Sequence, residues 1–294
     1  VLATTLGAAT AAHTPIRLAL VPRLVGRNAL PSAIGISAMT FNTARILGAA
    51  AGAWLLAHFS VAAAYTVAGL LFAGALPVLA ALRGVEAPPP RAGGSFARQL
   101  REGVSYARQH PGIRLIFAFT LLNGLLGRTV IELLPALNGQ LLGGDSTTLA
   151  TLTASAGAGS IAGGLIVSRQ SGRETRLLGL VAAALACGGL ALGLATLLDG
   201  LTAFCGLIAL VSLITTMAGT GSQALAQLTV DEAFRGRVLS LWTVLAMGAP
   251  ALGGLLMGTA ADRLGFPVVL TAFGTAGALA ALLLFRRRGA LQSG

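Results

Sequence analysis

The chain has 294 residues, of which 55% are hydrophobic and only 10% charged, and its mean hydropathy is +0.83. A soluble domain of that length needs far more charge to cover its surface, so the composition points to a membrane protein. The net charge of +11 comes without a basic face interleaved with aromatics, which argues against a nucleic-acid partner; arginine drawn to anionic lipid accounts for it.

In chain order, apolar runs near 1–20, 33–57, 61–82, 114–137, 147–168, 177–198, 201–226, 238–260 and 266–285 predict nine membrane-spanning helices, since a span needs about 20 apolar residues. The basic residues are all arginine, and every second break between runs collects them. Arg17, Arg23 and Arg27 come first, then Arg83, Arg91, Arg98, Arg101, Arg108 and Arg114. Arg169, Arg173 and Arg176 follow, then Arg235 and Arg237, then Arg286, Arg287 and Arg288. The alternate breaks hold His58–Ser60, Gly143–Asp145, Asp199–Gly200 and Asp262–Arg263, with a single arginine among them. The positive-inside rule places the arginine loops in the cytoplasm, the C-terminus inside and the N-terminus outside. Val1-Leu2-Ala3 lacks the basic lead of a signal peptide. An outside N-terminus then implies an odd number of spans upstream, and three would make twelve. The expected location is the bacterial cytoplasmic (inner) membrane.

The break at 84–112 differs from the rest. Ala87-Pro88-Pro89-Pro90 and Gly93-Gly94 precede a stretch in which Phe96, Leu100 and Val104 recur every four residues with arginines between them. That spacing describes a short basic amphipathic helix on the cytoplasmic surface, or a solvated connecting helix beside a proline-rich linker. The organisation expected is a remnant of an N-terminal six-helix half at 1–83, a linker with this helix at 84–113, a C-terminal six-helix half at 114–288 and a tail at 289–294. Within the runs, Gly48–Gly52, Gly159–Gly163, Gly189–Gly193 and Gly254–Gly258 have the spacing that lets helix backbones approach. Cys187 and Cys205 fall in apolar runs and read as small core residues. Trp242 reads as a marker of the membrane interface.

Two stretches carry a family resemblance. One is Thr14-Pro15-Ile16-Arg17 through Pro22-Arg23-Leu24-Val25-Gly26-Arg27, leading into Phe41-Asn42-Thr43-Ala44-Arg45-Ile46-Leu47-Gly48. The other is Phe234-Arg235-Gly236-Arg237-Val238-Leu239-Ser240-Leu241-Trp242, followed by Gly248-Ala249-Pro250-Ala251-Leu252-Gly253-Gly254. The chain resembles major facilitator superfamily exporters, in the branch of enterobactin exporters and macrolide-efflux proteins, from the fourth helix onward. The resemblance implies a helical bundle with nine of twelve helices present. It departs at Ala49, where the family usually has a proline, so that helix should kink less. An internal echo between 22–57 and 233–260, each running from a Gly-Arg loop into a small-residue-rich span, suits the pseudo-symmetric halves of alternating-access carriers.

Charges inside the spans are the candidates for mechanism. Arg45 lies near the middle of its run, where a charge costs at least about 2.5 kcal/mol. It reads either as a cavity arginine meeting an anionic substrate or coupling carboxylate, or as a structural arginine bonded to carbonyls; Asn42 shares its face. Arg128 and Glu132 stand one turn apart, as an outer-rim ion pair or gate, or as a protonatable relay. Asn123, Gln223, Gln227 and His13 either bond between helices or line the substrate path. Arg27, Arg235 and Arg237 read as a cytoplasmic gate or as solvated topology signals. His13, His58 and His110 lack metal-ligand spacing, and no phosphate-binding glycine loop occurs. The expectation is thus no enzyme, metal or cofactor, but a monomeric secondary exporter that uses the proton motive force to move a small amphipathic drug or siderophore-like molecule. Its partners are the bilayer and that substrate. A phospholipid or lysophospholipid flippase of the same fold and a non-transporting fragment are the alternatives.

Overall fold

The structure, a computed structural model, describes residues 25, 29–81, 96–170, 174–198, 200–231 and 234–286. Among the described residues every regular element is helical. In order these are α1 (Leu30–His58), α2 (Val61–Ala80), α3 (Phe96–Gln109), α4 (Pro111–Asn123), a π turn (Gly124–Arg128), α5 (Thr129–Glu132) and α6 (Leu134–Leu142). Then come α7 (Ser146–Ser168), α8 (Glu174–Gly193), a 3-10 turn (Ala195–Leu197), α9 (Gly200–Thr229), α10 (Arg235–Leu264) and α11 (Phe266–Arg286). Among the described residues, seven stretches are long and apolar enough to cross a membrane: Val61–Val78, Pro111–Glu132, Thr147–Ser168, Thr175–Gly193, Gly200–Thr229, Arg235–Leu264 and Phe266–Arg286. Each coincides with a predicted span. The predicted run at 33–57 is covered by α1, and the run at 1–20 lies outside the described residues. The chain is therefore a multi-pass membrane protein, helical throughout the regular elements of its described residues.

Breaks between helices follow local chemistry. Asp145 caps α7, accepting from the Thr148 backbone N–H at 2.9 Å and from its hydroxyl at 3.0 Å. Those two donors satisfy groups the first turn would otherwise leave open, and they hold the Asp145 carboxyl below its usual value. Gly143 ends α6 with φ +55°, a left-handed turn that suits glycine.

The interior divides into three layers. Toward the arginine-bearing end lies an apolar core containing Leu30, Ile34, Ile113, Phe119, Leu177 and Leu225. Toward the opposite end lies a second, with Val130, Leu152, Ile208, Met257 and Phe266. Between them α4 and α7 to α11 contribute small or polar residues: Thr120 and Asn123, Gly159 and Ser160, Gly188 and Gly189, Ser212 and Thr215, Ala249, Pro250 and Gly253, and Gly274.

Glycine sets the backbone approaches in that middle layer. A Cβ on Gly159 would collide with the Ala209 carbonyl, and one on Gly163 would stand 2.5 Å from the Leu213 carbonyl. Both contacts advance together, so α7 and α9 pack as a parallel pair. Gly189 of α8 meets Gly274 of α11 at 2.6 Å by the same measure. The other two predicted glycine pairs behave differently. Gly48, Gly52, Gly254 and Gly258 have nothing within 4 Å of an added Cβ. On α10 it is Gly253 that packs, against Leu125 and Thr129. Trp242 also departs from expectation: it is 7% exposed and donates from Nε1 to the Thr120 hydroxyl at 2.9 Å. Its indole N–H found a partner inside the bundle, so it is not a lipid-interface anchor.

Candidate transport site

The predicted span at 114–137 is not one helix. α4 ends at Asn123, the backbone widens through the π turn Gly124–Arg128, and the chain bends again at Leu133, where φ is −83° and ψ is 6°. Single π turns inside helices tend to sit at functional positions. This one is tied to two neighbours. The Asn123 side-chain N–H donates to the Thr215 carbonyl of α9 at 3.3 Å, and the Thr129 hydroxyl reaches the Gly124 carbonyl at 2.9 Å and the Pro250 carbonyl of α10 at 3.2 Å. Pro250 interrupts the α10 ladder because it has no N–H. Gly124 packs within 3.2 Å of the Pro250 ring, measured from an added Cβ. The wide turn of one helix thus seats in the proline break of the other.

Arg128 closes the π turn, and its Nε donates to Glu132 Oε1 at 3.1 Å. Both side chains are 48% exposed, so the pair faces away from the C-terminal core, unlike Asn123, which is buried. Gln223 and Gln227 share one stripe of α9, the stripe that carries Ala209, Leu213 and Thr216 toward α7. That stripe runs on past the end of α7, so the two glutamines stand beyond Ser168, level with the start of α1. Gln227 is only 1% exposed, and neither of its amide atoms has a hydrogen-bond partner. The predicted polar residues therefore do not converge on one pocket: Arg128 with Glu132, and Gln223 with Gln227, form two separate groups.

Position 45 and position 42 fall on α1, but the side chains of Arg45 and Asn42 lie outside the described residues, as do Arg27 and His13 entirely. The α1 backbone is nevertheless informative. Leu30 and Ile34 are 3% and 2% exposed in the core at the arginine-bearing end. Beside them a Cβ on Gly35 would stand 2.7 Å from the Ser168 N and 2.8 Å from the Gly164 carbonyl of α7. Further along the face of Leu30 and Ile34 come position 45 and then Gly48 and Gly52, where nothing lies within 4 Å. Among the described residues, the interface between α1 and the C-terminal bundle is closed at the arginine-bearing end and open at the other.

Of the predicted gate arginines, Arg235 is half-buried at the start of α10. Arg237 pairs with Glu102 Oε2 of α3 at 2.9 Å and lies over the Phe234 ring at 5.4 Å. α3 is docked by more than this pair. The Tyr106 hydroxyl donates to Asp231 Oδ2 at 2.9 Å and accepts from the Asp231 N–H at 3.3 Å. The Tyr106 ring stacks between His110 and Phe234, at 3.9 and 4.4 Å. Burial, followed by the effect of the Asp231 carboxylate, pushes the Tyr106 phenol above its usual value despite the opposing Asp231 N–H. The face that docks is Gly103, Tyr106 and Ala107; Val104, from the predicted apolar face, is 39% exposed. α3 is thus strapped to the α9–α10 connection. Sequence reading missed Glu102, Tyr106, Asp231 and Thr215, and no spacing rule links Tyr106 to a residue 125 positions away.

Comparison with known proteins agrees with this architecture. The model of the major facilitator family described as "Transmembrane secretion effector" matches residues 1–291. Macrolide efflux protein A of Streptococcus pyogenes is 25% identical over 260 residues, covering 87% of this chain and 64% of that protein. Macrolide efflux protein A of the serotype M6 strain of that species matches to the same extent. The chain thus spans less than two thirds of the length of these curated relatives.

Proposed function

Because the chain belongs to the major facilitator family of transmembrane secretion effectors, we propose that the whole protein is a secondary exporter of a small amphipathic molecule, driven by the proton motive force and working by alternating access. The observation that carries this reading is the two-ended interface of α1. It is sealed at Gly35 against Gly164 and Ser168, and open at Gly48 and Gly52. A carrier with the arginine loops in the cytoplasm of a bacterial cell would, in this form, present its opening to the outside. Rocking about the closed end would move the opening to the other face.

On this account position 45 stands at the floor of the opening, between the sealed and the open stretches of α1. Arg128 and Glu132 offer the proton-handling pair, since a carboxylate held by a neighbouring guanidinium can release it and take a proton when the geometry changes. The relatives' names make macrolides the first compounds to test. The experiment is efflux from a drug-sensitive bacterium expressing the full-length protein, with and without an uncoupler. Loss of efflux with the uncoupler supports the proposal, as does an altered pH profile in Glu132→Gln. Uncoupler-insensitive movement of a fluorescent lipid would overturn it in favour of a flippase, and no accumulation difference for any amphipathic compound would overturn export altogether.

A further inference from the structure

Beside the π turn two buried polar atoms point at the same space without a partner. Asn123 and Thr215 are each 8% exposed, and neither Asn123 Oδ1 nor Thr215 Oγ1 has a hydrogen-bond partner. Gly127 marks where they converge: a Cβ there would stand 3.5 Å from Asn123 Oδ1 and would collide with Thr215 Oγ1. The cavity at this point is bounded by the π turn, α8 and α9, with Leu126, Leu185 and Leu192 in its walls. Its volume is about 10 Å³, the room one water molecule needs and far too little for a drug-sized ligand.

We propose that this cavity is a resident water site, in which one water accepts from the Thr215 hydroxyl and donates to Asn123 Oδ1. A cation is disfavoured by the donor set: the two convergent side-chain oxygens are neutral, and an ion would have to shed its hydration for them. Water matches the hydrogen-bonding roles, because Thr can donate and the amide oxygen can accept. The site then completes the tie that Asn123 begins with its 3.3 Å bond to the Thr215 carbonyl. It braces α4 against α9 at the point where the π turn has widened the backbone.

The test turns on the sign of one substitution. Thr215→Val keeps the shape and removes the hydroxyl. If water bridges the two groups, the variant loses a bond, and the full chain in detergent should melt roughly 2–4 °C lower. Asn123→Leu should likewise lower the melting temperature, and the double variant should lose less than the two single losses combined. If the cavity is dry, Thr215→Val removes an unsatisfied buried hydroxyl, and an unchanged or higher melting temperature overturns the proposal. Should the variants fail to fold, radiolytic hydroxyl footprinting of the wild-type protein reads the site directly. Oxidation of the buried Leu126 and Leu192 supports a water beside them, and their complete protection refutes it.

Discussion

Gly35→Leu tests the two-ended interface at its sealed end. An added Cβ would stand 2.7 Å from the Ser168 N, whereas ordinary contact begins near 3.4 Å. A methyl alone therefore requires the α1 and α7 backbones to part by roughly 0.7 Å, and the rest of a leucine requires more. Overpacking of this kind costs about 1–3 kcal/mol. Charged to the closed state alone, that cost raises the ratio of open to closed by about 5–150-fold. The reporter is Gln227→Cys, placed where the native side chain is 1% exposed, in a background with Cys187 and Cys205 replaced by serine. A membrane-impermeant maleimide applied to the arginine-bearing side should label it faster by about that factor in Gly35→Leu, and efflux by the full-length protein should fall. Gly35→Ala should give the same direction with a smaller step. An unchanged labelling rate in both variants, with efflux retained, would refute a moving contact at Gly35.

Three further outcomes follow from the packing. Gln227→Leu removes a buried amide with no partner on either atom, so it should raise thermal stability by about 1–3 kcal/mol; a lower melting temperature would mean that the amide is satisfied in the membrane. Gly159→Ala forces a methyl onto the Ala209 carbonyl and should destabilise by about 1–3 kcal/mol, whereas Gly254→Ala and Gly48→Ala, which meet open space, should stay within about 0.5 kcal/mol of wild type. Equal effects at the three positions would contradict the α7–α9 contact. Tyr106→Phe keeps the ring stack but loses both bonds to Asp231, lowering stability by about 1–3 kcal/mol. Because the folded phenol titrates above its usual value, its contribution is complete below about pH 10 and fades as pH rises through the folded value. The melting gap between wild type and Tyr106→Phe should therefore hold from neutral pH to about pH 9 and close only beyond pH 10. A gap that closes between neutral pH and about pH 9 would reverse the assignment.

Length and hydropathy were enough to locate seven spans, because crossing a membrane constrains a chain over some twenty consecutive residues. The π turn was invisible for the opposite reason. Gly124-Leu125-Leu126-Gly127-Arg128 lies inside one unbroken run and contains no proline, and the extra residue shows only once Thr129 and Pro250 meet. Glycine spacing marked four pairs but could not say which backbones approach: Gly159–Gly163 and Gly189–Gly193 found partners, while Gly254 yielded to Gly253 one position earlier. The helix at Phe96–Gln109 was legible as amphipathic. Its docking face was not, since it uses glycine, tyrosine and alanine against α10 and the connection before it, far away in sequence. Arg128 with Glu132 was readable because the two residues stand four apart in one apolar run. Arg237 with Glu102 was not, because tertiary contact alone creates it.

The parallel pairing of α7 with α9 has a consequence for biosynthesis. Gly159 reaches the ribosome's exit about 50 residues before Ala209, a wait of roughly 3–10 s at common elongation rates. By the end of that interval α7 and α8 have both emerged, yet the glycine groove of α7 has no matching surface, because α8 turns its own Gly189 toward α11. The unit that assembles is thus not the helical hairpin of consecutive spans but an interleaved set, in which α9 must slot beside a helix two insertions older. Lipid, or an insertion factor, has to occupy that groove meanwhile, and this interval is where misassembly of the newborn chain would concentrate.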